Sequence, residues 1–297
     1  MKEPILTGLT SPLTLHPDAA IDLHMHTTYS DGRWPAPELI NYLIREGFDL
    51  VAITDHDFVE MVGNTQAMAA EKHLPVLSGV EMSTEWNGKM GDLLCYGFDP
   101  AQNYLAALTE RITREQLENI HAVHDTLLKR GYQFPRQQEI LADNGGKLRL
   151  PGDVIRLLRE HSYAPDWRTA VKMMHEAGFH STRVNMAETV EAAHRSGAVC
   201  LIAHPGRRES GFTFYAPDLL DQVRADIPLD GIEVYHPSHS PEITETYLAY
   251  ARRHSLLMSA GSDSHSIPGR MPGKHRAELC RALLERLGVQ IVASAAR

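Results

Sequence analysis

Short apolar stretches that each run into a cluster of metal-ligand side chains recur along this chain, and that repetition constrains the fold more than any other feature. The clusters are Asp22-Leu23-His24-Met25-His26 with Ser30-Asp31-Gly32, Thr54-Asp55-His56-Asp57, Gly79-Val80-Glu81, Ala203-His204-Pro205-Gly206 and Gly261-Ser262-Asp263-Ser264-His265. The apolar stretches cover residues 20–23, 50–54, 75–80, 93–98, 199–203, 231–235 and 256–260. They are short, and several are rich in Val, Ile or Leu, as strands buried on both faces are. Helical patterns lie between several of them: 37–46 closed by Gly47, 63–72, 188–195 ahead of Gly197, and 242–253. Strand–helix alternation of this kind predicts a mainly parallel α/β sheet or barrel, with the ligands gathered at one end.

The middle of the chain reads differently. From about residue 100 to 185 the strand signal fades. Residues 101–130 form a long helical pattern with Glu110, Arg114 and Glu118 at helical spacing. Asn144-Gly145-Gly146 is a turn, and helices are expected over 152–160 and 167–177. The predicted organisation is a first part of the barrel over 1–100, a helical insertion over 101–185 that serves as a lid or substrate subdomain, and a second part over 186–297. Residues 1–20 read as a loose leader without the apolar core of a signal peptide, and no apolar run approaches the length of a membrane helix. A cytoplasmic enzyme is the expectation. Cys95, Cys200 and Cys280 are odd in number and far apart, which favours buried small hydrophobes over a disulfide framework.

The chemistry sits at the strand ends. His24 and His26 are two apart, so a strand presents both rings on one face, and the Ser30-Asp31-Gly32 turn can fold the Asp31 carboxylate back beside them. His56 is a ligand candidate. Asp55 and Asp57 are candidates for orienting imidazoles, with a helix N-cap as the equal alternative for Asp57. A buried Glu81 costs several kcal/mol, roughly, unless paired or ligated, and its two oxygens can bridge two ions. His204 ends a very apolar strand, and Asp263 with His265 repeats the spacing of two. Each motif alone is ordinary. The five together, in order, at successive strand ends, predict a multinuclear metal site.

The ordered set D-L-H-M-H-T-T-Y-S-D-G, A-I-T-D-H-D, G-V-E-M-S, I-A-H-P-G-R and G-S-D-S-H resembles the PHP family, named for polymerase and histidinol phosphatase, over residues 21–98 and 186–266. The resemblance implies a distorted (β/α)7 barrel carrying two or three divalent ions, manganese, iron or zinc. By position it assigns one ion to His24, His26, Glu81 and Asp263, a second to Glu81, His204 and Asp92, and a third to Asp31, His56 and His265. Members usually carry histidine where this chain has Asp92, and the extra oxygen hardens that site toward manganese or iron(II). The layout is similar to nucleoside 3′,5′-bisphosphate phosphatases and 5′→3′ exoribonucleases, some of which hold phosphate with an Arg-x-His motif in the insertion. The matching segment here is Lys147-Leu148-Arg149-Leu150-Pro151-Gly152-Asp153, with Asp153 at the histidine position.

The mechanism this implies is attack on a phosphate monoester by a hydroxide bridging two ions, with His204 or Asp263 assisting proton movement. Arg207 is the first candidate for a phosphate contact, followed by Arg149 and Arg183. His236 and His239 follow the 231–235 strand at the substrate end, where loop capping is the alternative role. The formal net charge of −9 argues against a stable complex with long nucleic acid. Three divalent cations would nevertheless outweigh the carboxylates of Asp31, Glu81, Asp92 and Asp263 and leave the pocket attractive to phosphate. The expected partner is a small phosphorylated substrate, a nucleotide or a short oligonucleotide, with no membrane. Three activities compete: a small-molecule phosphatase, a phosphodiesterase or exonuclease, and a non-catalytic metal-binding module.

Overall fold

A computed structural model describes residues 13–208, 212–265 and 270–292. They form two compact units, one from the residues up to 109 and from 184 onward, the other from residues 110–183.

The first unit opens with β1 (Leu13–Leu15), β2 (Ala20–Asp22), α1 (Ala36–Arg45), β3 (Leu50–Ala52), α2 (Val62–Ala70), β4 (Val76–Leu77), β5 (Gly79–Trp86) and β6 (Lys89–Tyr96). α1 buries Ala36, Leu39, Ile40 and Leu43, one stripe at helical spacing, and the chain turns out of it at Gly47, whose φ is 71°. β2, β3 and β4 are parallel neighbours, and the three residues of β3 are buried.

The expected mainly parallel arrangement fails at β5 and β6. They form an antiparallel hairpin, and β6 is antiparallel to its other neighbour as well. The cause is Asn87-Gly88, both with positive φ (49° and 71°), joining Trp86 to Lys89 in a two-residue turn. Asn-Gly is favoured there because a turn with both central residues left-handed matches the twist of the paired strands. The hairpin also starts β6 four residues earlier than the apolar run at 93–98 indicated.

After the second unit the chain returns as β7 (Val184–Asn185), α7 (Met186–Arg195), β8 (Val199–Ile202), α8 (Pro217–Asp226), β9 (Gly231–Tyr235), α9 (Pro241–Arg253), β10 (Leu257–Ala260), β11 (His275–Arg276), α10 (Arg281–Arg286) and β12 (Val289–Ile291). The six-stranded sheet has the order β10-β9-β8-β6-β5-β7 and the four-stranded sheet β11-β2-β3-β4. Backbone hydrogen bonds join the two at both seams: Leu23 N to Ala260 O (3.1 Å) past β2 and β10, and Glu81 N to Thr54 O (3.1 Å) between β5 and the segment after β3. The core beneath includes Ile21, Leu23, Leu50, Leu77, Leu94, Leu201 and Leu284.

The expected loose leader is corrected in part: β1 pairs in parallel with β12, Leu13 opposite Val289, so residues 13–15 are sheet. Residues 1–12 lie outside the described residues.

The second unit takes in most of α3 (Leu105–Lys129), with α4 (Gln137–Ile140), α5 (Pro151–Glu160) and α6 (Trp167–Glu176), around its own core of Ile120, Val123, Leu127, Leu141, Val154, Leu158 and Met174. Among the described residues, no helix is long and apolar enough to cross a membrane.

Candidate metal centre

His24 and His26 leave β2 with both rings inward. Their flanking backbone is locked to the opposite seam: His26 N donates to Ser264 O (2.9 Å) and Asp263 N to His24 O (2.8 Å). His56 follows β3 and bridges in parallel to Glu81 on β5. The hairpin then sets Asp92 opposite Ser83, and Ala203 N donates to the Asp92 carbonyl (2.9 Å), which brings Asp92 level with His204 beyond β8. Asp92 therefore arrives from within a strand and not from a strand end.

Glu81 is the hub. Its fully buried carboxylate lies 2.8 Å from His24 Nε2, 3.1 Å from His26 Nε2, 3.4 Å from His56 Nε2 and, through the other oxygen, 2.8 Å from His204 Nε2. The ligand atoms gather into three groups, each within 4.8 Å: His24, His26, Glu81 and Asp263; Glu81, Asp92 and His204; and His26, Asp31, His56 and His265. All nine expected ligand positions are in these groups, and His26 belongs to two of them.

The donor chemistry fits cations. His24 Nδ1 faces Glu233 Oε1 at 3.0 Å, and a carboxylate only accepts, so the proton of a neutral ring is on Nδ1. In that neutral form the Nε2 lone pair would face the Glu81 oxygen at 2.8 Å, so either a second ring proton or a cation has to lie there. Both ring nitrogens of His26 and Nδ1 of His56 are buried without a hydrogen-bond partner.

The protein groups alone push these imidazoles toward protonation. Burial opposes their charge, but the carboxylates prevail: Glu81, Glu233 and Asp263 hold His24 well above the usual histidine range, and Glu81, Asp31 and Asp92 raise His56 to about 9. His265 likewise overcomes burial through Asp263 and Asp31 and is raised to about 10. The Glu81 carboxyl, against its own burial, is held well below its usual range by His24 and His56. Burial and the nearby Glu81 push Asp92 up.

The supporting residues differ from expectation. Asp55 holds no imidazole. It accepts from Thr27 N (2.7 Å), Thr27 Oγ1 (2.8 Å) and Ser30 Oγ (2.6 Å), so it pins the turn that carries Asp31. A side chain at Gly32 would run into the His26 carbonyl at 2.5 Å, which lets only glycine close that turn. Asp57 does not cap α2, whose first turn is flanked by Met61. It accepts from Ser83 N (2.8 Å) and ties the His56 loop to β5.

Two other carboxylates take supporting roles: Glu233, which lies in none of the quoted motifs and orients an imidazole, and Asp22, which opens the first motif and ties the Ser262 loop. Glu233, fully buried on β9, holds His24 Nδ1 and also accepts from His204 N (2.8 Å). Asp22 accepts from Ser262 N (2.9 Å), Ser262 Oγ (2.6 Å) and Gly273 N (2.8 Å), and burial raises its pKa to about 7 against those bonds. The signal for Glu233 was available, since an acid inside Gly-Ile-Glu-Val-Tyr is costly without a partner. His204 and Asp263 have positive φ, 29° and 50°, a strained backbone of the kind that concentrates at functional sites.

Of the expected substrate contacts, His236 is buried with Nε2 3.3 Å from Asp263 Oδ2, and Arg207 Nη1 is 3.7 Å from the same oxygen, its guanidinium 3.7 Å from the centre of the Phe212 ring. His239 takes the loop-capping alternative and not the substrate one: Nδ1 donates to Val234 O (2.9 Å) and Nε2 accepts from Gly206 N (3.0 Å), which engages both ring nitrogens. Arg149 and Arg183 belong to the second unit, where Arg149 Nη1 donates to Asn144 Oδ1 (3.2 Å). Asp153 is engaged by the start of α5, accepting from Arg149 N (2.7 Å) and Leu150 N (3.1 Å).

The family model for the PHP domain matches residues 22–177. The chain belongs to the PHP domain family. This PHP protein is 30% identical over 255 residues to a 3′,5′-nucleoside bisphosphate phosphatase of Chromobacterium violaceum, covering 84% of this chain and 88% of that one. It is 27% identical over 255 residues to the 5′-3′ exoribonuclease Rnm of Escherichia coli, covering 82% and 84% respectively. A crystal structure from Bifidobacterium adolescentis shares the fold, with a TM-score of 0.74 at 23% identity over 92% of this chain and 98% of that one. These likenesses agree with the expected PHP fold class.

Proposed function

We propose that this PHP protein is a metal-dependent phosphoesterase that hydrolyses a phosphate monoester of a nucleotide or similar small molecule, with two or three divalent ions (manganese, iron or zinc) held by the three ligand groups. The observation that carries this reading is the buried Glu81 carboxylate with four imidazole nitrogens directed at it. Bound divalent ions acidify coordinated water to near neutrality and draw charge off phosphoryl oxygens.

The chain's own residues do the rest. Glu81 reaches two of the groups and sets their spacing. Glu233 and Asp22 hold the ligand loops so that little reorganisation follows binding. Arg207, flattened against Phe212, presents its fork toward the site, which suits a phosphate. His236 is kept toward the neutral form by burial, and with Nδ1 against Ser238 Oγ (2.7 Å) and Nε2 against Asp263 Oδ2 (3.3 Å) it is a positioning residue for Asp263. His239 is a positioning residue for the His-Pro-Gly-Arg loop.

The phosphatase and exoribonuclease relatives both break phosphate esters, which supports the shared chemistry. The exoribonuclease likeness favours a second reading, diester cleavage of short oligonucleotides. A screen of nucleotides, p-nitrophenyl phosphate, bis(p-nitrophenyl) phosphate and short RNA with manganese, alongside metal analysis of protein purified without chelator, separates the two. Monoesters should turn over fastest, and chelation should abolish turnover. Turnover confined to diesters selects the second reading, and none on any ester with metal bound sinks both.

Proton release is a further expected result. With His56 at about 9 and His265 at about 10, both imidazoles carry protons at pH 8 in the absence of cations. A cation must displace those protons, so its affinity rises with pH by ~tenfold per unit for each proton displaced, until the imidazole pKa is passed. Titration calorimetry at pH 8 in two buffers of different ionisation enthalpy counts the protons. Zero net release would remove both imidazoles from the ligand set.

A further inference from the structure

Burial of the three cysteines matches their reading as small apolar groups, but two of them are also paired across the sheet. β6 and β8 run antiparallel, and Cys95 stands directly opposite Cys200. Antiparallel partners alternate between hydrogen-bonded pairs and non-hydrogen-bonded pairs, and in the second kind the side chains approach more closely. Ala203 N donates to the Asp92 carbonyl (2.9 Å), so the pair three steps along, Cys95 with Cys200, is of the second kind. The other edge of Cys200 agrees. Its N–H donates to Asp230 Oδ2 (2.8 Å) and its carbonyl accepts from Asp230 N (3.0 Å), both toward β9 and away from β6. Non-hydrogen-bonded partners keep their Cα atoms about 4.5 Å apart, within the roughly 4.4–6.8 Å span that a disulfide bridges. The two sulfur atoms face each other at 3.2 Å, and both residues are fully buried. Leu94, Tyr96, Val199 and Leu201, their neighbours along the two strands, belong to the core beneath the sheets. Alternation therefore puts both sulfurs on the opposite face from that core and from the Asp92 side chain.

Two thiols so placed can close into a disulfide with little movement of either strand. Residues 110–183, the second unit, lie between them in the chain, so the bond would close a long loop. Closing a long loop removes more freedom from the unfolded chain than closing a short one. The bond would also fasten β6, which carries Asp92, to β8, which leads to His204, from the face that holds no ligand. We infer that Cys95 and Cys200 are a modification site: a hydroperoxide converts the two thiols to a disulfide that staples β6 to β8. One thiolate attacks a peroxide oxygen, which breaks the O–O bond, leaves a sulfenic acid on that sulfur and releases hydroxide. The second sulfur attacks the sulfenic sulfur, forms the S–S bond and expels the oxygen as water. In sum the two thiols lose two electrons and two protons, and hydrogen peroxide takes them up to become two molecules of water. Burial sets the pace. It pushes the Cys200 thiol well above its ordinary value, so little thiolate is present near neutrality and closure quickens as pH rises.

The test uses the full-length protein purified without chelator, fully reduced at the outset and then treated with hydrogen peroxide at mildly alkaline pH. Alkylation under denaturing conditions counts the thiols, and mass spectrometry of the digested protein locates any link. The reduced protein should take up three alkyl groups and the treated protein one, with the mass of two hydrogen atoms lost and Cys95 joined to Cys200. A reductant should restore all three. The melting temperature of the treated parent should rise by several degrees and fall back on reduction, whereas Cys95→Ala and Cys200→Ala should show no rise on treatment. The peptide map of the parent decides the link even if neither variant folds. Three alkylatable thiols, after a dose that oxidises the cysteines of the denatured protein, overturn the site. So does a link through Cys280, or oxygen added to Cys95 or Cys200 in place of a bond between them. A Cys95–Cys200 bond that leaves the melting temperature unchanged overturns its role as a staple.

Discussion

Replacing Glu81 with glutamine should cost the protein its activity and its complement of ions together. Glu81 is the single carboxylate shared by two of the ligand groups, and the substitution keeps its volume while removing its charge. Electrostatic support of this kind is worth several kcal/mol, so kcat/KM should fall by about three powers of ten. Excess manganese should not restore it, because the amide cannot serve two cations. Its NH2 group would also face the Nε2 atoms that now face Oε1 or Oε2. Elemental analysis and kinetics across a range of manganese concentrations make the measurement. Glu81→Gln with the parent's metal stoichiometry and rate would remove the hub from the mechanism.

Glu233→Gln should show a different pattern. Glu233 touches no open space. It holds the ring of His24 through one oxygen and the backbone of His204 through the other. Glutamine can accept only one of those bonds and turns an NH2 group against the other donor. Losing such an orienting carboxylate typically lowers metal affinity ~10–100-fold. The expected signature is weaker manganese binding and low activity at limiting metal, with most of kcat recovered at saturation. That recovery separates a positioning residue from a ligand, and an unaltered manganese affinity would refute the role.

How far the sequence could be read depended on whether a residue's job is local. The His24-x-His26 spacing, Glu81 after its apolar run and Asp263-x-His265 all put an expensive side chain next to a buried strand, so the cost itself pointed to a partner. The same reasoning applied to Glu233 in an apolar strand, but no neighbouring histidine drew the eye to it. Asn87-Gly88 carried a short-range hairpin signal that the uniform strand–helix rhythm masked, and with it the antiparallel course of β6. His239 was beyond reach, since it is committed to two backbone groups that only the folded loop supplies. The β1–β12 pairing joins residues far apart in the chain, and nothing in a three-residue strand announces its partner.

The separate unit at residues 110–183 has a consequence for synthesis. A nascent chain that has not yet reached His204 already contains Glu81 with His24, His26 and His56, yet lacks Glu233 to orient His24 and Asp263 to complete its set. The intervening helices must be translated before the second half arrives, so the ligand groups are completed late, and a ribosome stalled within the insertion displays Asp31, Glu81 and Asp92 with three imidazoles and no finished cage.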